Sequence, residues 1–287
     1  YQLLGGKVRD KIKVYANGWY SGERSPENFG EKAKFLSDKG YKALKFDPFG
    51  SEHLRLNKES EVFVKKIIRS VRNAVGSNVE LMIEGHKRFN VFEAIKIAKW
   101  LEEFDVTWFE DPIDNNDIDS LIHVSRNSPV RIIAGEGFDK YKDFTRFASS
   151  NATDIVNPEV IKIGGIGGSI KVANICSSFD VDLAFHNAES PLKTMTNLQL
   201  CGAIKNIYIQ ECFDEFNEDW IEELFQTVSG EAAAISNVSR AVTGAGQIVG
   251  GDIEPGAYKI FKTTPLIGPF NPVNRKAAEG VNELFGG

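Results

Sequence analysis

Short apolar runs alternate with longer amphipathic stretches from residue 11 to residue 213 of the chain. Short apolar runs bounded by turn residues are typical of buried strands, and apolar positions that repeat every three to four residues are typical of helices. Eight strand segments are predicted, at 11–19, 41–50, 79–85, 106–112, 130–137, 152–160, 181–191 and 206–213. Seven helices are predicted between them, at 26–40, 59–76, 92–104, 120–127, 141–150, 168–179 and 193–204.

Strands that are separated by helices run parallel, with right-handed crossovers. Two α/β architectures fit this order, a closed (β/α) barrel of TIM type and an open, doubly wound sheet. The open sheet usually has a glycine-rich phosphate loop after its first strand, whereas this chain has ANGWYSGER at 16–24. The glycines of IKIGGIGGSIK at 161–171 follow the sixth strand and predict a tight turn. The pattern therefore favours the barrel.

The barrel is predicted to occupy residues 1–220, and residues 221–287 form a C-terminal segment in which GQIVGGDIEPGAYKIF indicates a hairpin. The opening YQLLGGKVRD is typical of a helix end with a glycine stop, followed by a charged linker. The chain begins at Tyr1, and its methionines are Met82 and Met195. We therefore expect it to be either a trimmed chain or part of a longer product.

Composition and charge narrow the class of protein. Hydrophobic residues make up 42% of the chain and charged residues 26%, as in ordinary core-forming domains. The net charge of −6, without a basic run, argues against a nucleic-acid partner. No apolar run approaches the roughly 18 residues of a membrane span, and no signal peptide is evident. Three cysteines without a CxxC spacing predict reduced thiols in a cytoplasmic protein and give zinc little support.

Three glutamates end consecutive predicted strands at equal intervals. Glu84, Glu110 and Glu136 are each 26 residues apart, and each stands where an apolar strand runs into its helix. In a barrel these positions converge at the C-terminal mouth, where unscreened carboxylates would repel one another and raise each other's pKa. A hard divalent cation removes this conflict, and carboxylate ligands suit Mg²⁺ better than zinc. The spacing therefore predicts a Mg²⁺ site, against the alternative of three unrelated helix caps.

Other polar groups are predicted at the same mouth. A histidine there can accept a proton when a carboxylate holds its tautomer, and the partner of His186 is predicted to be Glu159 on the neighbouring strand. The alternative is that His186 is a hydrogen-bonded structural residue. His53 and His123 have no such neighbours and are predicted to lie on the surface. The remaining polar positions at the predicted strand ends are Lys45, Asp47, His86 and Glu211.

Mg²⁺ beside a lysine, two histidines and spare carboxylates suits the abstraction of a proton α to a carboxylate. A second group opposite the base can then protonate a leaving β-hydroxyl, which gives dehydration. Return of the proton to carbon gives racemisation instead. His86 lies two residues after Glu84 and is close enough in sequence to serve as the acid.

With these residues, the chain resembles a known family, the barrel domain of the enolase superfamily of the mandelate racemase/muconate lactonizing type. Within it, the pattern is most similar to the archaeal-type gluconate dehydratases. The resemblance covers residues 1 to about 220. The stretches that carry it are LLGGKVRDKIKVYANGWY, GYKALKFDPFG, IEGHKRFN, WFEDPI and VDLAFHNAES.

The resemblance implies roles for these positions. The metal ligands would be Glu84, Glu110 and Glu136. The base would be His186 with Glu159, where many relatives have Asp, and the general acid would be His86. Lys45 and Glu211 would complete the catalytic set, and Asp47 and Asn187 would bind substrate. Asp47 replaces the second lysine of the wider family, which argues against a two-lysine racemase.

By resemblance, the reaction is the loss of water from D-gluconate to give 2-keto-3-deoxygluconate, with D-galactonate as a second candidate substrate and Mg²⁺ as cofactor. Family members carry an N-terminal capping domain that is absent from this chain, and they usually form homo-oligomers in the full-length form. Two alternatives stay open, a dehydratase of another aldonate or an aldarate, and a catalytically silent barrel fragment. The expected partner is a small sugar acid, with no nucleic acid and no membrane.

Overall fold

A computed structural model describes residues 1–114, 116–188, 190–213 and 252–253 of the chain. Strands and helices alternate through the described part. The strands are β1 (Ile12–Asn17), β2 (Ala43–Phe46), β3 (Glu80–Glu84), β4 (Val106–Glu110), β5 (Arg131–Ile133), β6 (Ile155–Val156), β7 (Asp182–Leu183), β8 (Gln210–Phe213) and β9 (Asp252–Ile253). The α-helices are α1 (Pro26–Asp38), α2 (Lys58–Val75), α3 (Val91–Leu101), α4 (Ile118–Arg126), α5 (Tyr141–Ser149), α6 (Gly165–Ser177) and α7 (Pro191–Ala203). Short 3₁₀ turns occupy Gln2–Leu4 and Glu102–Phe104.

The helices begin where the sequence supplies side-chain caps. Ser25, Asn57, Asn90, Asp117 and Ser190 each accept a hydrogen bond from a backbone N–H in the first turn of α1, α2, α3, α4 and α7. Such a cap satisfies one of the orphan donors at a helix start. Each cap stands on the loop that enters its helix from the preceding strand, which fixes how the chain leaves the strand.

Parallel pairing runs continuously from β5 through β4, β3, β2 and β1 to β8, and β6 pairs with β7. Further backbone hydrogen bonds join these two sheets. Asn157 N donates to Ala134 O at 3.3 Å, and Tyr208 N donates to Leu183 O at 2.9 Å. These bonds link β5 to β6 and β7 to the approach of β8, so the ring is closed. The predicted (β/α) barrel is confirmed.

Two apolar cores follow from the alternation of side chains along the strands. The larger one packs the outer face of the ring against the helices. The smaller one fills the barrel with one residue from each of eight strands or strand approaches: Tyr15, Ala43, Met82, Trp108, Ile133, Ile155, Ala184 and Ile209. Trp108 meets Tyr15 edge-on, with ring centroids 5.5 Å apart. The barrel is therefore solid beneath its mouth.

The C-terminal segment is described at two residues. The backbone of β9 pairs antiparallel with the start of β1, with Ile253 opposite Ile12. The rest of 214–287, including the other residues of the predicted hairpin, lies outside the described residues, so the division at residue 220 stays a prediction. None of the described helices is long and apolar enough to span a membrane.

Candidate active site

A ring of polar residues lies directly above the apolar filling of the barrel. Because strand side chains repeat with a period of two, the residue two positions after each inner-core residue also projects inward. These eight residues are Asn17, Lys45, Glu84, Glu110, Gly135, Asn157, His186 and Glu211. Six of them have an exposed fraction of 7% or less, whereas His186 is partly exposed. The predicted mouth of the barrel is therefore a dense layer of ionisable and amide groups.

Lys45 lies at the centre of this layer. Its Nζ is 3.2 Å from Glu84 Oε2, 2.7 Å from Glu110 Oε1 and 2.9 Å from Glu211 Oε1, and its side chain is 1% exposed. Burial alone would lower the pKa of this lysine, but the surrounding carboxylates raise it well above its ordinary value. Lys45 is therefore a charged cation that holds three buried carboxylates together.

The carboxylates around Lys45 are held in different states. Burial raises the pKa of Glu84 to about 7 and that of Glu110 to about 8, against the opposing attraction of Lys45. Burial also raises the pKa of Glu211, but Lys45 and His186 more than offset it, and the net shift is downward. Glu211 accepts from the side-chain amide of Asn17 at 2.7 Å, and Glu110 accepts from Asn157 Nδ2 at 2.8 Å. The layer thus concentrates carboxyl groups whose joint ionisation one lysine does not fully stabilise.

Glu136 lies outside this ring, three residues beyond the end of β5. Its Oε1 accepts a hydrogen bond from Lys87 Nζ at 2.5 Å, and its Oε2 is 3.1 Å from His186 Nε2. Burial would raise the pKa of Glu136, but the charges of His186 and Lys87 lower it to about 2. Glu136 is therefore a carboxylate anion at the rim of the site.

The three glutamates predicted to bind metal have the donor chemistry of a hard-cation site. Glu84 and Glu110 are opposite one another in the β3–β4 register, and the charge of Glu136 is close enough to raise the pKa of Glu84. Among the described residues, no three His, Cys, Asp or Glu side chains are grouped as a metal site. Positive charge in this arrangement comes from Lys45 and Lys87. The donor set fits Mg²⁺, and its joint ligation by the three glutamates stays a prediction.

His186 and Glu159 form the dyad that the sequence predicts. Nδ1 of His186 is 2.6 Å from Glu159 Oε2, and the Glu159 side chain is 2% exposed. Burial would lower the pKa of His186, but the hydrogen bond with Glu159 and the charges of Glu211 and Glu136 raise it to about 9. Because an ionised carboxylate only accepts hydrogen bonds, Nδ1 carries a proton. Nε2, which lies 3.1 Å from Glu136 Oε2, is the atom that can exchange a proton at the mouth.

His86 is held on the other side of the mouth. Its Nδ1 is 2.7 Å from Asp47 Oδ2, and its side chain is 51% exposed. His86 has a φ of 48° and Lys87 a φ of 60°, which non-glycine residues rarely adopt unless the surroundings impose it. Glu84 Oε1 accepts from His86 N at 2.7 Å, and Asp111 O accepts from Lys87 N at 2.6 Å. The backbone after β3 is therefore bent to present His86 at the rim.

Asn187, which is predicted to bind substrate, is buried and contacts other protein groups. It is 1% exposed, and its Nδ2 donates to Thr194 Oγ1 at 2.9 Å and to Glu211 O at 3.2 Å. Its backbone N donates to Glu211 Oε2 at 2.5 Å. Asn187 thus orients Glu211, and a direct contact with substrate stays a prediction. His53 and His123 are exposed, as expected.

Sequence reasoning missed five polar residues of this region. They are Asn17, Lys87, Arg88, Asn157 and Lys193. Two of them, Asn17 and Asn157, could have been found by counting two positions on from the interior residues of their strands. The three cations stand on loops or in a helix, where no strand periodicity marks them. Arg88 binds Asp47 and so braces the carboxylate that holds His86.

Comparisons with known proteins show the family of this barrel. A family model described as "Enolase C-terminal domain-like" matches residues 28–239. A D-gluconate dehydratase from Thermoproteus tenax is 38% identical over 224 residues, which cover 78% of this chain and 45% of that protein. A D-gluconate/D-galactonate dehydratase from Picrophilus torridus is 36% identical over 227 residues, covering 78% of this chain and 58% of that protein. The chain spans about half the length of these curated relatives.

A solved structure gives the same fold. The mandelate racemase/muconate lactonizing enzyme from Jannaschia sp. CCS1 matches with a TM-score of 0.70 at 27% identity. The match covers 74% of this chain and 58% of that one.

Proposed function

The chain belongs to the enolase C-terminal domain-like family, and from that membership we propose that it performs the Mg²⁺-dependent dehydration of a sugar acid. D-Gluconate is the proposed substrate and D-galactonate is the second candidate, because relatives of this chain are named D-gluconate dehydratase and D-gluconate/D-galactonate dehydratase. The product would be the 2-keto-3-deoxy acid. The proposal unites a proton acceptor, a proton donor and a cation-binding carboxylate set at one barrel mouth.

The observation that carries the proposal is the placement of two histidines on opposite sides of the mouth. His86 follows β3 and His186 follows β7, and these strands are four positions apart in an eight-stranded ring. Each imidazole Nδ1 is paired with a carboxylate, at 2.7 Å for Asp47 and 2.6 Å for Glu159. A substrate lying across the mouth would therefore meet one nitrogen base at each side.

Removal of the α-proton is assigned to His186. Its Nδ1–H donates to Glu159, which orients the ring and leaves Nε2 to accept the proton. Against the effect of burial, the hydrogen bond with Glu159 raises the pKa of His186, so the imidazole, once deprotonated at Nε2, is a stronger base than an ordinary histidine. Such basicity suits a carbon acid, because the proton next to a carboxylate is weakly acidic.

Loss of the β-hydroxyl is assigned to His86. Expulsion of hydroxide is slow unless the leaving oxygen is protonated, and a positioned imidazolium can supply that proton. Asp47 holds the ring of His86, and Arg88 binds the same oxygen of Asp47. The partly exposed His86 would thus reach a leaving group in the open mouth while keeping a fixed orientation.

Glu84, Glu110 and Glu136 are the residues that would hold Mg²⁺. When bound, the ion would neutralise the negative charge that develops on the substrate carboxylate as the α-proton leaves. Lys45 would add a fixed positive charge beside the same carboxylates, since its ammonium already contacts Glu84, Glu110 and Glu211.

Separate assays of the two proton transfers test this assignment. His186→Asn should lower exchange of the substrate α-proton with D₂O by at least about 100-fold, because the general base is lost. His86→Asn should retain exchange but lower keto-deoxy acid formation by a similar factor. The matched control is His123→Asn, since His123 is exposed on α4.

Persistence of α-proton exchange in His186→Asn would remove His186 as the base. Loss of both exchange and dehydration in His86→Asn would show that His86 does more than donate a proton. A panel of aldonates and aldarates assayed for keto-deoxy acid would separate D-gluconate from D-galactonate and from the alternative substrates. Absence of both reactions from the parent chain with every acid would favour a catalytically silent barrel.

A further inference from the structure

A lysine is buried where a helix begins. Lys193 is the third residue of α7, which starts at Pro191, and Ser190 accepts a hydrogen bond from its backbone N at 3.3 Å. Its side chain is 3% exposed, and its ammonium donates to Glu159 Oε2. The chain thus places a second cation against the carboxylate of the His186–Glu159 dyad.

This position is unfavourable for a lysine unless a carboxylate compensates it. The first turn of a helix carries partial positive charge from its unpaired N–H groups, so a cation there is repelled. Removing an ammonium from water adds a further cost. Sequence patterning would place a lysine of this turn on the solvent side, whereas the structure turns it inward to Glu159. The ion pair with Glu159 therefore offsets the costs of placing this ammonium inside the protein.

Three donors converge on Glu159 and fix both of its oxygens. Oε1 accepts from the backbone N of Ile161 at 3.1 Å. Oε2 is shared by Lys193 Nζ and by His186 Nδ1, the latter at 2.6 Å. Burial would raise the pKa of Glu159, but the hydrogen bonds from His186 and Lys193 contribute to a net lowering. The carboxylate is consequently held ionised, in one orientation, with Oε2 facing the imidazole.

We propose that Lys193 is a positioning residue that fixes the His186–Glu159 dyad with His186 Nε2 directed at the mouth. Its role as an aid to catalysis rests on the proposed function, in which His186 accepts the α-proton. Without the ammonium, Oε2 of Glu159 keeps one donor instead of two, and the buried carboxylate is free to rotate or to take up a proton. The imidazole of His186 then loses its fixed acceptor.

Nitrogen-15 NMR of histidine-labelled full chain tests the positioning without any need for turnover. The chain has four histidines, so each imidazole can be assigned by single substitutions. The parent and the exposed-lysine control Lys34→Met should show a His186 Nδ1–H that exchanges slowly with water. Lys193→Met should speed this exchange by about tenfold or more, because the acceptor is no longer fixed. Lys193→Arg keeps the charge. On a logarithmic scale, it should recover at least half of the difference in His186 Nδ1–H exchange rate between the parent and Lys193→Met.

A second uncharged variant keeps the test valid if Lys193→Met fails to fold. Lys193→Gln can still donate a hydrogen bond from the same helix turn. We therefore expect its His186 Nδ1–H to exchange faster than in the parent and more slowly than in Lys193→Met. Circular dichroism identifies the variants that fold. An unchanged His186 Nδ1–H exchange rate in the folded uncharged variants would overturn the proposal.

Substrate α-proton exchange in D₂O with Mg²⁺ supplies the catalytic readout. Lys193→Met should lower the kcat of exchange by about 100-fold, with KM within about threefold, because a misdirected base affects the chemical step more than binding. Equal exchange kcat in the parent and Lys193→Met would overturn the catalytic part of the proposal. If the parent itself exchanges no α-proton, the proposed function fails, whereas the NMR measurement still decides whether Lys193 positions His186.

Discussion

At the scale of single residues, the main feature of the site is that one buried lysine contacts three buried carboxylates. Lys45 contacts Glu84, Glu110 and Glu211, all of them 3% exposed or less. Buried ion pairs of this kind are costly to break, because removing one partner leaves the other charges uncompensated. Lys45 therefore matters to the fold as well as to the chemistry.

Replacement of Lys45 by Met should lower the free energy of unfolding by about 3–5 kcal/mol in metal-free buffer. Urea titration followed by circular dichroism measures this change. The control is Lys34→Met, which removes an exposed lysine paired with Asp38 one turn away in α1 and should change stability by less than about 0.5 kcal/mol. A loss below about 1 kcal/mol for Lys45→Met would show that Lys45 is not the counter-charge of this cluster.

The sequence allowed the site residues to be predicted where they follow the two-residue period of a strand. Lys45, Glu84, Glu110, His186 and Glu211 project inward because each lies two residues beyond an interior apolar position. Lys193 escaped prediction because a lysine in a first helical turn is ordinarily on the surface. Arg88 escaped because its contacts depend on how the loops after β2 and β3 approach each other.

At the scale of elements, the order of strands and helices could be predicted, whereas the extent of strand pairing could not. The segment predicted as a strand at 152–160 pairs regularly at Ile155–Val156 alone, and that at 181–191 at Asp182–Leu183. Beyond these pairs single backbone hydrogen bonds continue, from Ala184 N to Val156 O at 2.8 Å and from His186 N to Pro158 O at 3.1 Å, and the side chains of Asn157 and Glu159 add further contacts. The regular strands β6 and β7 are therefore shorter than the apolar runs that predicted them.

The close approach of the β3 and β4 ends depends on Gly85. A Cβ at this position would lie 2.9 Å from Asp111 O and from Pro112 Cα, and 3.0 Å from Glu110 O. Those neighbours are backbone atoms, which cannot move aside cheaply. The glycine thus allows the backbone after Glu84 to lie against the backbone after Glu110.

Gly85→Ala should lower the free energy of unfolding by about 1–3 kcal/mol through overpacking, and weaken Mg²⁺ binding at the same time. Thermal unfolding with and without Mg²⁺ measures both effects. The control Gly167→Ala lies in α6, where an added Cβ meets no atom within 4 Å, so it should be neutral or stabilising. A stable Gly85→Ala variant with parental Mg²⁺ affinity would contradict this account of the loop.

At the scale of the whole molecule, the barrel converts eight separate strand ends into one site. Its apolar filling excludes water from below, and its polar layer gathers carboxylates that are far apart in sequence. The chain as a whole carries a net charge of −6, so the cluster is not offset by a basic surface. A bound divalent cation would relieve the repulsion within the layer and stabilise the fold by linkage.

Calorimetric titration of the parent chain and its Glu→Gln variants with Mg²⁺ tests the central claim most directly. One Mg²⁺ site is expected in the parent and in Glu31→Gln, an exposed control on α1. Each of Glu84→Gln, Glu110→Gln and Glu136→Gln should weaken Mg²⁺ binding by at least about tenfold. A parent chain that binds no Mg²⁺, or parental affinity in any folded variant of the three, would contradict the claim that these glutamates share one ion.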